Sequence, residues 1–244
     1  MKIVCLIEAR FRSSRLPGKV LQPILGKPML ELMIERLKRA RTLDGIVVAT
    51  TDGPSDEPIA ELAKRLNVGV FRGSEDDVLA RVLGAARAYD ADVIVETTGD
   101  CPLHDPAIID KVVADFRIGG ADFVSNVLDY STPRGTDVRV FTTDALEEIN
   151  RVSDDPADHE HVSIHFWEHP EKYRLRNVVT DFPPEVAQLR LTVDTPEDFE
   201  LVRQVYEELY PINPAFSLGD VLALFERRPE LVRINQHIMQ KAVR

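Results

Sequence analysis

Two kinds of hydrophobic pattern alternate along the first half of the chain. Short runs of β-branched and other apolar residues predict strands near residues 3–7, 45–51, 68–72, 92–98 and 122–126. Between these runs, apolar residues recur at helical spacing and predict helices over residues 28–40, 57–66, 77–89 and 106–116. Asp105 is suited to cap the last of these helices. Such alternation is typical of βαβ units, so we predict a doubly wound α/β fold with a mostly parallel sheet.

The pattern changes after residue 126. Further strands are predicted near residues 137–143, 173–179 and 190–193, and helices over residues 143–152 and 159–169. Two more helices are predicted over residues 196–210, capped by Thr195, and 218–227, capped by Ser217. Antiparallel strands are common additions to a parallel sheet, so this part predicts a smaller mixed β extension. The sequence shows neither a repeat nor a linker, and we predict a single domain over residues 1–244.

Composition and charge narrow the class of protein. Of the 244 residues, 44% are hydrophobic and 29% are charged, as in ordinary globular proteins. The formal net charge of −11 disfavours nucleic acid as a main partner. We expect no membrane partner, because no apolar stretch approaches the ~18 residues of a spanning helix. The first apolar run ends at Ile7, too short for a signal peptide, and there are two cysteines, so a cytoplasmic protein is the simplest expectation.

A basic segment directly follows the first predicted strand. Within EARFRSSRLPGK, four cationic side chains lie close together in an otherwise acidic chain: Arg10, Arg12, Arg15 and Lys19. Loops at the carboxyl ends of strands form the ligand crevice of open α/β sheets, and arginine forks with a lysine charge suit a polyphosphate. The segment lacks the glycines of a dinucleotide fingerprint or a P-loop. It is either a triphosphate cradle or a solvated basic loop, and its position favours the cradle.

Several segments are similar to those of one enzyme family. EARFRSSRLPGKVLQPILGKPML resembles the opening of the cytidylyltransferases that make CMP-activated sugar acids, the CMP-Kdo and CMP-acylneuraminate synthetases. VETTGDCPL, PRGTDVRVF and RLTVDTPEDFELV resemble three further family motifs in the same order. EHVSIHFWEHPEKY resembles a stretch of the branch that contains the spore coat polysaccharide biosynthesis protein SpsF. The resemblance therefore covers nearly the whole chain.

This resemblance implies both a fold and an activity. The fold would be the Rossmann-like fold of nucleotide-diphospho-sugar transferases, in a single nucleotidyltransferase domain. Residues 126–190 would bind the acceptor and form the interface of a homodimer. The activity would be Mg²⁺-dependent transfer of CMP from CTP to a Kdo-like or nonulosonate-like sugar acid. Pyrophosphate would be released, and the product would serve the synthesis of surface polysaccharide or another glycan.

The predicted site residues fall into three groups. Asp100 and Asp194 follow predicted strands and can reach one crevice; the resemblance assigns them the metal ion, whereas turn or cap roles are the alternative. The resemblance also assigns the triphosphate to Arg10, Arg15 and Lys19. We predict that Arg10 and Lys19 are catalytic, together with Asp100. Further predicted nucleotide contacts are Ala9, Ser13, Asp77, Arg81 and Thr98. Predicted acceptor contacts are Asn126, Arg134, Asp137 and His161.

Two positions depart from the CMP-Kdo synthetases. Those enzymes carry Q-S-G-T-E-R where this chain has EDDVLAR, residues 75–81. Asp76 and Asp77 are therefore either contacts to the base or acids that favour a helix N-terminus. Cys101 follows the predicted metal aspartate, where those enzymes have a glutamate. Both departures leave the identity of the acceptor open.

Other functions remain as alternatives. Transfer to a phosphate or phosphonate acceptor would need a second basic pocket, for which the candidates are Arg134, Arg139 and Arg174. A glycosyltransferase would more typically carry a D-x-D motif, and a non-catalytic nucleotide-sensing or scaffold protein would have no need of the polar groups retained here. HFWEH, residues 165–169, matches the H-x-x-E-H zinc-protease pattern, but Phe166 and Trp167 favour a packing helix.

Overall fold

A seven-stranded sheet forms the centre of the computed structural model, which describes residues 1–240. In chain order the strands are β1 (Ile3–Glu8), β2 (Pro23–Ile24), β3 (Lys27–Pro28), β4 (Gly45–Thr51), β5 (Gly69–Gly73), β6 (Val93–Thr98), β7 (Phe123–Ser125), β8 (Arg139–Thr142) and β9 (Leu175–Asn177). The helices are α1 (Met29–Leu37), α2 (Glu57–Arg65), α3 (Val78–Ala88), α4 (Pro106–Ile118), α5 (Thr143–Val152), α6 (Pro156–Glu160), α7 (Ile164–Glu168), α8 (Pro196–Leu209) and α9 (Leu218–Arg227).

The main sheet has the strand order β5-β4-β1-β6-β8-β7-β9. Strand β8 runs antiparallel to both of its neighbours, and the remaining pairs are parallel. Strands β2 and β3 form a separate antiparallel hairpin. The prediction of a mostly parallel sheet with a mixed β extension is therefore confirmed.

Helices cover both faces of the sheet, because successive strand side chains point to opposite sides. In β1, Ile3, Cys5 and Ile7 pack in one hydrophobic cluster with α1, α2, α4, α8 and α9. Val4 and Leu6 pack in the other cluster, with α3, α5 and α7. The run IVCLIE is apolar throughout its first five residues because both of its faces are buried. None of the helices within residues 1–240 is long and apolar enough to cross a membrane.

The helix predicted over residues 159–169 is wrong as a continuous element. Two short helices, α6 and α7, replace it, and α6 begins earlier, at Pro156, with Asp155 as its cap. Val162 lies between them with a φ of 38°, outside the helical region, and its side chain is fully buried. Packing of this valine into the core therefore prevails over helical continuity.

The strand predicted near residues 190–193 is also absent, although the segment is paired on both sides. Apart from one parallel bridge between Arg134 and Arg190, the backbone of this segment forms hydrogen bonds with loop residues. The N–H of Leu191 donates to the carbonyl of Arg134 at 2.7 Å, and that of Val193 to the carbonyl of Asp100 at 2.7 Å. Gly135 has a φ of 102°, and a Cβ there would lie 2.4 Å from the amide nitrogen of Thr192. A glycine is required for this close approach.

Candidate active site

The carboxyl ends of β1 and β6 meet at the centre of the sheet, where Glu8 is paired with Thr98. The loop after β1 carries the basic segment, and the loop after β6 carries Asp100. The segment of residues 190–193 runs beside this second loop and leads to Asp194. These three segments meet at the carboxyl edge of the sheet, where the ligand crevice of open α/β folds usually lies.

Lys19 connects the three segments. It begins a 3₁₀ turn (Lys19–Leu21) after Gly18, whose φ is 72°. The ammonium Nζ donates to Asp100 Oδ2 at 3.1 Å, to Asp194 Oδ1 at 3.0 Å and to the carbonyl of Val193 at 2.7 Å. Burial alone would lower the pKa of Lys19, but the two carboxylates outweigh it and raise the pKa. The structure thus brings both predicted metal aspartates together around one cation.

Asp100 is held by neighbours on its own loop. Its Oδ1 accepts a hydrogen bond from the Thr98 hydroxyl at 2.5 Å, and the Cys101 thiol lies 3.5 Å away. Burial would raise the pKa of Asp100, but Lys19 and the Thr98 hydroxyl lower it below its usual range. The carboxylate is therefore ionised at neutral pH. Cys101 and the other cysteine, Cys5, are buried free thiols; burial raises the pKa of Cys5 to about 12 and also raises that of Cys101.

Asp194 faces two arginines on its other oxygen. Its Oδ2 lies 3.1 Å from Arg15 Nη2 and 2.8 Å from Arg190 Nη2. Arg190 also binds the fully buried Asp198, with Nε 2.9 Å from Oδ1. Asp198 in turn accepts the backbone N–H groups of Asp194 and Thr195, so it completes the capping box of α8. Arg190 and Asp198 thereby fix the position of Asp194, and sequence reasoning missed both of them.

The chain beyond α9 returns to this cluster. The side-chain amide of Asn235 is buried and donates to the carbonyl of Arg190 at 3.0 Å and to Asp198 Oδ1 at 2.9 Å. Gln240 accepts a hydrogen bond from the Arg190 guanidinium. The C-terminal part of the described chain therefore helps to hold Arg190 and Asp198 in position. Nothing in the local sequence around Asn235 indicates this role.

The remaining cations of the basic loop are exposed. Arg10 forms no ion pair with any carboxylate in residues 1–240, and Arg12 pairs with Glu75 at 3.2 Å. Ser13 is half-buried. Arg15 is exposed apart from its contact with Asp194. The loop therefore presents Arg10 and Arg15 to solvent, where an anionic ligand can reach them.

The predicted contacts near α3 have structural partners of their own. Asp77 caps α3 by accepting the N–H of Ala80 at 2.8 Å, and it lies 2.9 Å from His159 Nδ1 on α6. The Arg81 guanidinium is buried and donates to the carbonyls of Ser74 and Glu75. Ala9 is buried beside the loop after β6. The cap role of Asp77, one of its two sequence-based interpretations, is thus realised.

The predicted acceptor residues are not all free to meet a ligand. Asn126 is fully buried and its amide binds Thr132, Thr136 and Val138, so it shapes the loop after β7. Arg134 donates to the Tyr130 hydroxyl at 2.9 Å and stacks on its ring. That hydroxyl donates to Asp137 at 3.3 Å. His161 is half-buried at the end of α6.

A buried charge cluster underlies this side of the crevice. Arg139 lies 3.7 Å from Glu96 and 3.5 Å from Asp137. Glu8 is near it, and burial together with the charge of Glu96 raises the pKa of Glu8 to about 8. Among residues 1–240, Glu8 Oε1, Glu96 Oε2 and Arg139 Nε find no hydrogen-bond partner. The sequence places one glutamate at the end of IVCLIE and another inside VIVETT, but these positions alone do not predict that the two side chains meet.

The arginines of a second basic pocket are not brought together. Arg174 pairs with Asp122 at 2.7 Å at an exposed edge, beside the start of β7. Arg139 is paired in register with Ser125 at the other end of β7 and is flanked by two acids. Of the three candidates, Arg134 and Arg139 are linked through Tyr130 and Asp137, and Arg174 lies apart from them.

The histidines of the zinc-like motif have other partners. His165 Nδ1 lies 2.7 Å from Asp158, and His169 Nδ1 lies 3.2 Å from Glu171. The two imidazole rings are in contact, with centroids 4.2 Å apart. Among residues 1–240 no group of three or more His, Cys, Asp and Glu side chains could hold a metal ion. The motif is a packing helix, as Phe166 and Trp167 indicate.

Solved structures share this fold. A cytidylyltransferase from Leptospira borgpetersenii superimposes with a TM-score of 0.91 at 33% identity and covers 99% of this chain and 100% of its own. A CMP-2-keto-3-deoxy-manno-octonic acid synthetase in complex with CTP gives 0.65 at 20% identity, over 85% and 99%. Mycobacterium tuberculosis Rv0371C in complex with manganese gives 0.59 at 18%, over 84% and 99%. Together with the crevice, these likenesses define a nucleotidyltransferase.

The sequence comparisons give the family. The family described as Cytidylyltransferase matches residues 4–219, and the chain belongs to it. An uncharacterized protein of Methanocaldococcus jannaschii is 37% identical over 100% of this chain and 98% of its own. Bacillus subtilis SpsF is 30% identical, over 93% and 95%. The 3-deoxy-manno-octulosonate cytidylyltransferase of Geobacter metallireducens is 30% identical, over 93% and 91%. The predicted resemblance is therefore confirmed.

Proposed function

We propose that the protein transfers CMP from CTP to a sugar acid and releases pyrophosphate, with Mg²⁺ as its divalent metal ion. The observation that carries this proposal is the Lys19 bridge between Asp100 and Asp194, next to an exposed arginine loop. The crevice offers cations for a triphosphate and two carboxylates for a metal ion. Both are needed for nucleotidyl transfer.

The two aspartates suit Mg²⁺, which is usually held by one or two carboxylates together with waters and substrate phosphates. The side chain of Asp100 is 27% exposed, and its lowered pKa keeps it ionised. When bound, the ion would neutralise charge on the phosphates. The manganese complex of the Mycobacterium tuberculosis protein supports a divalent ion on this fold.

The residues of the basic loop would do the rest of the chemistry. In our proposal Arg10, Arg15 and Lys19 bind the triphosphate, and they stabilise the charge that develops on the leaving pyrophosphate. The acceptor hydroxyl attacks the α-phosphorus in line, so a new oxygen–phosphorus bond forms as the bond to pyrophosphate breaks. Orientation is the main task of the protein, because this transfer needs no covalent intermediate with a side chain.

Charge on the acceptor side favours a sugar acid over a phosphate or phosphonate. The acids Glu96 and Asp137 flank Arg139, which leaves little positive charge for a dianion. Arg134, stacked on Tyr130, is the candidate partner for a single carboxylate. The names of two relatives, a 3-deoxy-manno-octulosonate cytidylyltransferase and SpsF, support a sugar-acid acceptor used in polysaccharide synthesis.

Acceptor contacts through Asp137 and His161, and a homodimer formed by residues 126–190, remain predictions. Light scattering of the purified protein would measure the oligomeric state. A monomeric mass would remove the dimer from the proposal without affecting the chemistry proposed for the crevice.

The test of the function is pyrophosphate release from CTP and Mg²⁺ with a panel of acceptors: Kdo, nonulosonates, sugar 1-phosphates and a phosphonate. ATP, GTP and UTP serve as nucleotide controls. We expect release with CTP and one sugar acid. Release with a phosphate or phosphonate acceptor alone would replace the acceptor class, and failure to bind any nucleotide would refute the proposal.

A further inference from the structure

The ammonium of Lys19 is fully occupied within the protein. Its three donors meet Asp100, Asp194 and the carbonyl of Val193, all within 3.1 Å. The side chain is only 10% exposed, so water has little access to these contacts. The residue predicted to bind phosphate is thus bound to the carboxylates predicted to bind the metal ion.

Asp194 is matched by further cations on its second oxygen. Arg190 and Arg15 both lie within 3.1 Å of Oδ2. Lys19, Arg15 and Arg190 therefore all contact Asp194, whose two oxygens are both engaged, whereas Asp100 is contacted by Lys19. A divalent ion on the same carboxylates would lie next to the Lys19 ammonium, and like charges repel strongly where solvent is largely excluded.

We infer that Lys19 is a built-in counter-ion that keeps the Asp100–Asp194 pair from binding a bare divalent cation until nucleotide phosphates draw the ammonium away. This inference rests on the proposed function, because it requires a polyphosphate nucleotide and a metal ion to share the crevice. It assigns Lys19 a second role, in the order of binding. The metal ion and the nucleotide enter together, and the metal ion alone binds poorly.

The other two cations are not equivalent to Lys19. Arg190 is buried and also bound to Asp198, Asn235 and Gln240, so it stays with Asp194. Arg15 lies on the exposed loop and contacts one carboxylate only. Lys19 alone of the three contacts both aspartates, so it is the cation whose removal should open the metal site.

The experiment measures Mn²⁺ binding to nucleotide-free protein by electron paramagnetic resonance of the free ion. We expect Lys19→Met to bind Mn²⁺ about tenfold more tightly than wild type, the effect of removing one nearby positive charge. Lys172→Met is the matched control, because it removes the same charge from an exposed position. It should bind Mn²⁺ as wild type does. The double variant Lys19→Met/Asp100→Asn should lose the gain, which would locate the ion at the aspartates.

Each outcome is decisive. Equal Mn²⁺ affinity of wild type and Lys19→Met, or a gain that persists in the double variant, would overturn the inference. Circular dichroism checks the fold, and Lys19→Gln replaces Lys19→Met if the latter does not fold. The proposed function fails by a different result, the absence of CTP binding by wild type in the presence of Mg²⁺. The two failures are therefore distinguishable.

Discussion

The two sides of the crevice differ in how their buried charges are matched. On the side proposed for the nucleotide, Asp100, Asp194 and Asp198 each have a cationic partner within 3.1 Å. On the side proposed for the acceptor, Glu8 and Glu96 each keep one buried oxygen that has no hydrogen-bond partner within residues 1–240. Unsatisfied buried carboxylates are rare in structural cores and common at functional sites. The charges of one side are thus matched within the protein, and the other side keeps polar groups that would be available to the acceptor of our proposal.

The largest expected effect comes from substituting Arg190, on the side where the buried carboxylates have cationic partners. Arg190→Ala would leave Asp194 and the buried Asp198 without this partner, which typically costs about 3–5 kcal/mol of the free energy of unfolding. Urea unfolding measures it. Arg174→Ala is the control, because the arginine of its pair with Asp122 is 69% exposed, so its loss should cost far less than the loss of Arg190. Equal costs would contradict the proposed role of Arg190.

The next effect concerns activity. Asp100→Asn removes the charge that contacts Lys19 but keeps the shape of the side chain. We expect the rate of pyrophosphate release to fall about 10²–10³-fold, as when one preorganised electrostatic group is lost from an active site. Circular dichroism should show an unchanged fold. Full activity in this variant would contradict a metal role for Asp100.

A smaller effect is expected on the unmatched side, where the pKa of Glu8 is raised to about 8. The folded protein then binds a proton that the unfolded chain releases, so wild-type stability falls as pH rises from about 4.5 to about 8. Glu8→Gln should reduce this pH-dependent change in the free energy of unfolding by at least ~1.4 kcal/mol, which corresponds to one pKa unit. Thermal unfolding of both proteins across this pH range measures the difference. Parallel curves would show that Glu8 is ionised throughout.

The smallest effect is expected at His159, which joins α6 to the cap of α3. The hydrogen bonds to Asp77 and to the carbonyl of Ser153 raise its pKa. The contribution of this pair should be present below the ordinary histidine pKa of about 6.5 and be lost as pH rises through the raised value. Because the pair is partly exposed, His159→Gln should cost about 0.5 kcal/mol or less at low pH. If the cost of His159→Gln instead grows as pH rises, the raised pKa of His159 is contradicted.

The sequence predicted the strands and helices of the first half because βαβ units leave strong local patterns. The two-residue strands of the β2–β3 hairpin escaped detection, since each contains a proline and forms only a few contacts. Segments with non-local partners were harder. Residues 190–193 pair with loop residues rather than with a strand. The side chain of Asn235 binds Arg190, which lies 45 positions earlier in the sequence. Periodicity carries no information about such contacts.

The same limit applies to the candidate site. Motif resemblance predicted Lys19, Asp100 and Asp194, and the structure brings the Lys19 ammonium within 3.1 Å of both carboxylates. Motif resemblance could not predict that the Asn126 amide would form its hydrogen bonds within its own loop. Nor could it predict the cluster of Glu8, Glu96 and Arg139, because burial of a charged strand residue depends on the elements that cover it.

Both cysteines of the chain are buried thiols, and burial raises the pKa of each. Alkylating reagents attack the thiolate, so the native protein should be nearly inert to maleimides at neutral pH. A fluorophore can therefore be attached to one introduced cysteine without labelling the two native thiols. A single cysteine introduced at the exposed Ser14 would carry the label on the basic loop. Its fluorescence would report in real time whether the nucleotide of our proposal binds at that loop.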